Sequence, residues 1–164
     1  MPEREKGENM PNKIVVIKST ENSGKTTTIW LTFLELIGMG ATVISFSNTY
    51  NGPNKTIPST IPATPYDFVA EVLFNNKRVV LVSMGDVAAD VDTELQKILP
   101  TNPDFVICAS RSQNRAGSTW DLFKTVYTNT MYERVCFWSE FTTNPMFKLS
   151  VKQPTVEAII KYIS

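Results

Sequence analysis

The chain contains no histidine, and that absence removes more chemistry than any other feature of its composition. Without imidazole there is no Ser-His or Cys-His nucleophile pair, no ordinary proton shuttle near neutral pH and no histidine metal site. Cysteine is scarce too: Cys108 and Cys136 stand alone in the apolar runs "FVICAS" and "RVCFWS" without CxxC spacing, and are expected to be buried, inert thiols. Neither sign of charge is in excess. Sixteen Lys and Arg balance sixteen Asp and Glu, so no overall field draws nucleic acid or an anionic membrane to the surface. Long apolar runs are missing as well: "VVLV" and "FVICA" fall far short of a membrane span, and the opening "MPEREKGENM" has no apolar signal core. These absences predict a cytoplasmic protein without a membrane or nucleic-acid partner.

What remains is an ordinary globular balance, 42% hydrophobic and 20% charged, which excludes a disordered chain. At 164 residues it can build one substantial core but not two. Residues 1–12 are polar without apolar period and read as a flexible leader; residues 13–164 read as one domain. Short β-branched runs alternate with helical patterns. "KIVVIK" (13–18) is a strand buried on both faces, and Ile29, Trp30, Phe33, Leu34 and Ile37 set a helix stripe from Lys25, ended by Gly38. Strands follow at "ATVISFS", "RVVLVSM", "DFVICAS" and "RVCFWS", five in all. Thr64, Pro65 and Asp67 form a T-x-x-D start with proline at the first helical position, predicting a helix to about Asn75. Further helices are expected from Val87 to Leu99, at "STWDLFKTVYTN" and at "PTVEAIIKYIS". Trp120, Phe123 and Tyr127, at helical spacing, and Phe137 and Trp138 in a strand read as core. The alternation implies an α/β fold in three layers, a mostly parallel five-stranded sheet flanked by helices. Two connections stand out: 48–63, long and nearly without apolar anchors, which reads as a functional lid or a disordered segment, and "RSQNRAGST" (111–119), which holds two arginines.

Between the first strand and first helix stands "STENSGKT". A phosphate-binding loop needs G-x-x-x-x-G-K-[ST] there, because successive backbone N–H groups and the helix N-terminus surround the phosphates while the lysine reaches the outer ones. Ser19 occupies the first glycine position, followed by Thr20, Glu21, Asn22, Ser23, Gly24, Lys25 and Thr26. The strand before, the spacing, Gly24-Lys25, the hydroxyl of Thr26 and the amphipathic helix after all agree with the pattern. By itself "SGKT" would be only a serine-capped helix start with a solvated lysine.

Over residues 13–47 the run "TENSGKTTTIWLTFLELIGMGATVISF" resembles the first β-loop-α-β unit of P-loop nucleoside triphosphatases, most of all the branch of partition ATPases and dethiobiotin synthetase. The synthetase also replaces that first glycine, with threonine, and the partition ATPases share "GKTTT". The resemblance implies a P-loop fold in which Gly24 and neighbouring amides cradle the phosphates, Lys25 contacts the β- and γ-phosphates, Thr26 ligates Mg²⁺ and Thr27 lies near the α-phosphate. Thr20 stands where partition ATPases carry an extra lysine, and "SFSN" lacks their acid after the second strand.

Asp86, just past the third strand, suits a second-shell position on Mg²⁺ and equally suits capping a helix that begins at Val87; Ser83 is a weaker strand-end candidate. Arg111 and Arg115 follow the fourth strand on the carboxyl edge, where ligands bind in open α/β sheets; Arg111 sits nearer the strand end. The guanine-reading N-K-x-D signature is absent, which leaves ATP as the default nucleotide. Three functions stay open: ATP hydrolysis or phosphoryl transfer to a small-molecule acceptor, a partition-type switch acting through a protein partner or homodimer, and a phosphate-binding module without turnover.

Overall fold

The computed structural model describes residues 13–19, 24–48, 52–53, 57–63, 65–111, 117–128, 132–140 and 142–164. The leader, loop residues Thr20 to Ser23, Thr64 and Arg115 lie outside the described residues. In chain order the elements are β1 (Lys13–Ser19), α1 (Lys25–Gly38), β2 (Thr42–Asn48), β3 (Gly52–Pro53), β4 (Phe68–Phe74), β5 (Lys77–Val82), α2 (Ala88–Ile98), β6 (Phe105–Arg111), α3 (Thr119–Thr125), β7 (Glu133–Trp138) and α4 (Gln153–Ile163).

They form an α/β fold on one sheet of order β3-β2-β4-β5-β6-β1-β7. Strands β5, β6, β1 and β7 pair in parallel, while β4 runs antiparallel to both β5 and β2. The five strands expected from the sequence therefore all point one way, and β4 is a sixth, reversed strand inserted among them. The two-residue β3 edges β2.

Strand β4 replaces the helix predicted from Thr64 to Asn75. Its side chains alternate, with Phe68, Ala70, Val72 and Phe74 buried on one face, a period of two that a helix cannot satisfy. Asn75 and Asn76 both take positive φ, 49° and 64°, forming a two-residue turn whose twist suits a hairpin, and β4 pairs with β5 directly across it. Local cap chemistry thus lost to strand pairing. The connection 48–63 also differs from expectation, because it contains β3 and because Ile57 and Ile61 pack against the core.

Each face of the sheet has its own core. Helices α1 and α4 bury Ile29, Trp30, Phe33, Leu36, Val156, Ile159 and Ile163 on one side; α2 and α3 bury Val91, Leu95 and Phe123 on the other. Strand β1, central to both, has Ile14, Val15, Val16 and Ile17 fully buried. Trp30 packs on Phe68 at 4.3 Å between ring centroids and Phe33 stacks on Phe46 at 5.6 Å, while the Trp30 indole donates to the Tyr66 carbonyl. Each such ring contributes about 1.5–3 kcal/mol by burial, so α1 is fixed against β2 and β4 as well as β1.

Helix α3 opens with the expected box: Ser118 accepts from the Asp121 N–H, though the helix stops at Thr125. Phe123 and Tyr127 are core, and Trp120 is half-buried beneath the Lys18 ammonium. At the edge strand β7 the expectation of burial fails for Cys136 and Trp138, while Phe137 packs partly buried against the core. Cys136 and Trp138 are exposed because β7 has a neighbour on one side only and incomplete cover, whereas Cys108 in β6 is buried and its thiol pushed up by that burial.

Candidate functional site

The candidate groups among the described residues gather at the carboxyl edge of the parallel strands, around the start of α1. Gly24 precedes that helix with φ +79°, a left-handed conformation that costs a side-chain-bearing residue roughly 1–2 kcal/mol. Gly24, the N-cap of α1, has no side chain to cap it, and no acidic residue lies in the helix's first turn. Its N-terminal N–H groups and the positive end of its dipole are therefore presented at Gly24.

From the first turn, two side chains reach opposite carboxylates. Lys25 is only 6% exposed, and its Nζ stands 3.5 Å from Asp86 Oδ1. Thr26 donates its hydroxyl to Asp67 Oδ1 at 3.3 Å. Asp67, read from sequence as a helix start, is brought here because β4 runs backwards and so begins where β5 ends. Ser83 fixes it: the buried hydroxyl accepts from the Phe68 N–H at 2.7 Å and donates to Asp67 Oδ1 at 3.2 Å. Asp86 does not cap α2, whose N-cap is Val87 without a side-chain bond; it faces Lys25 and Arg111, the latter through Nε at 3.3 Å.

Gly85 makes this placement possible. A Cβ there would stand 2.7 Å from Ala109 Cβ and 2.9 Å from Ala109 backbone atoms, so only glycine lets the chain leaving β5 pass β6 this closely, and Thr119 holds it by donating to the Gly85 carbonyl. Gly24, Lys25, Thr26, Gly85 and Asp86 line a cavity of about 230 Å³.

On the other side of Gly24 lies a group with no sequence signal. Lys152, in the turn before α4, is 4% exposed; its Nζ donates to the Glu140 carbonyl at 2.8 Å and to Ser139 Oγ at 3.3 Å. Ser139 in turn shares a 2.7 Å hydrogen bond with Thr28 of α1. Burial, and then the nearby Lys25 charge, push the Lys152 ammonium down to about 8, against a smaller upward pull from Glu140. Lys152, Lys148, Gly24, Thr27, Ile61 and Leu149 are among the lining of a second cavity of about 360 Å³.

Neither family models, curated proteins nor solved structures offer a match to this chain. Among the described residues no three His, Cys, Asp or Glu side chains gather to hold a metal unaided. What the chain offers is a hydroxyl and two carboxylates beside a buried lysine, hard oxygen donors that suit Mg²⁺ sharing its shell with phosphate oxygens and water. Of the expected residues, Gly24, Lys25, Thr26, Asp86 and Arg111 come together, Thr27 lines the second cavity, and Ser19 is buried at the end of β1 opposite Arg111. Among the described residues no helix is long and apolar enough to cross a membrane.

Proposed function

We propose that the protein binds a nucleoside triphosphate, ATP by default, at the start of α1, and hydrolyses it or transfers its terminal phosphoryl group to a small-molecule acceptor with Mg²⁺. The observation that carries this reading is the divergence of Lys25 and Thr26, from the first turn of a helix behind a left-handed glycine, onto Asp86 and Asp67. A solvated lysine after a capped serine would not be 6% exposed and aimed at a carboxylate.

Each residue then has a task. The α1 amides and Lys25 bind phosphate oxygens, Lys25 turning from Asp86 toward the stronger anion. Thr26, Asp67 and Asp86 are the oxygen donors that would hold Mg²⁺, which when bound neutralises charge on the phosphates. Arg111, tethered to Asp86 at the end of β6, can swing to an equatorial phosphate oxygen. Phosphoryl transfer relies chiefly on positioning and electrostatics, so a chain without histidine can perform it.

Titration with ATP and Mg²⁺ followed calorimetrically tests the reading. Wild-type protein binds, and Lys25→Ala loses at least ~100-fold in affinity, the scale of one or two charge-assisted hydrogen bonds. Equal affinity in the two proteins would remove the basis of the assignment. Turnover that rises with protein concentration would point instead to a dimer switch, and binding without phosphate release to a module without turnover.

A further inference from the structure

The two cavities meet at Gly24, which lines both, yet they differ in character. The smaller holds Lys25, Thr26 and Asp86; the larger is walled by Ile61, Pro62, Ala63, Pro65 and Leu149, with lysines 148 and 152 at its polar side. A ligand whose phosphates lie over Gly24 would have its charged end in the first and its remaining part in the second. Lys152 stands at the junction: a Cβ built on Gly24 would be 2.8 Å from Lys152 Cε and 3.0 Å from its Nζ.

We infer that Lys152 is a second phosphate-gripping lysine, working from the opposite side of Gly24 to Lys25, at the mouth of a cavity that takes the apolar, non-phosphate part of the same ligand. This rests on the triphosphate reading above and extends it to the ligand class: a polyphosphate ester carrying a largely apolar group that fits about 360 Å³.

Three observations converge on Lys152. Its side chain is almost wholly buried, so its charge is poorly solvated and gains from an added anion. Its ammonium is oriented by the Glu140 carbonyl and by Ser139, and Ser139 is itself bound to Thr28 one turn into α1, so the lysine is held in register with the helix that presents the phosphate amides. Among the described residues, the charged groups facing it are Lys25 from α1 and Glu140 after β7, with Lys148 lining the same cavity. A bound anion next to two lysines relieves their mutual repulsion, so Lys152 takes up a proton when the ligand arrives.

Binding of ATP and of inorganic tripolyphosphate to the full chain, both with Mg²⁺, tests this. Lys152→Met is expected to weaken both probes by ~10-fold or more, and Lys152→Arg to retain most of the affinity. Ala63→Trp, which fills the cavity, is expected to bring the ratio of ATP to tripolyphosphate affinity toward one. A Lys152→Met protein that binds as well as wild type overturns the role of Lys152, and wild-type affinities equal for the two probes overturn the role of the cavity. Should Lys25→Ala lose binding while Lys152→Met keeps it, the triphosphate reading stands and this inference falls; a wild type that binds neither probe fails both. Calorimetry of the wild type at pH 8 in buffers of different ionisation enthalpy needs no variant. Uptake of up to about half a proton per ligand is expected, and none would overturn the inference.

Discussion

The two sides of Gly24 solve opposite problems. On the Asp86 side, charges of both signs face one another near solvent: Asp86 is 59% exposed, and Lys25 and Arg111 converge on it. On the Lys152 side an ammonium is buried, its hydrogen bonds among the described residues include the Glu140 carbonyl and Ser139 Oγ, and a second lysine lies close by. On the proposed reading, a phosphate ligand would displace the first arrangement and would relieve the cost of the second.

The comparison can be broken most severely at Lys25, where replacement by alanine is expected to lose at least ~100-fold in ATP affinity on calorimetric titration, since it removes the buried cation of the exposed side. Next in size, Gly85→Ala places a methyl against the Ala109 backbone, so urea unfolding should show a loss of about 2–3 kcal/mol. A smaller effect sharpens the other side. Lys152 has its folded pKa lowered from 10.5 to about 8, so between those values the unfolded chain holds a proton that the folded chain has released. Stability therefore rises with pH across that window, by on the order of 2 kcal/mol, and the penalty is fully present below it. Denaturant titrations at pH 7 and pH 10 should show this rise in wild type and its reduction in Lys152→Met. Smallest is a change that touches neither side: Ser118→Ala removes the cap of α3 and should lower stability by about 1 kcal/mol with nucleotide titration unaltered.

The first strand and the first helix were legible because each has a strong local signature: four consecutive buried β-branched residues in β1, and an apolar stripe in α1. Lys25, Thr26, Asp86 and Arg111 could be found from their positions after strands. Asp67 could not, because proline at 65 and a spaced Thr and Asp imitate a helix start. The alternation of Phe68, Ala70, Val72 and Phe74 before Asn75-Asn76 was the signal that should have outweighed it. Lys152 left no local trace. Its placement comes from β7 and α4 folding back on α1, and a lysine before a helix otherwise reads as surface.

The Asn75-Asn76 turn also bears on the order of assembly. Strands β4 and β5 meet across two residues, so their pairing closes a tiny loop, whereas β1 must find β6 with Lys13 aligned to Phe105 far along the chain. Hairpins of this kind register in microseconds and distant parallel pairings are far slower. The acid that meets Thr26 and the serine that steadies it flank this local pairing, so they are expected to be brought together before the glycine-lysine segment reaches them.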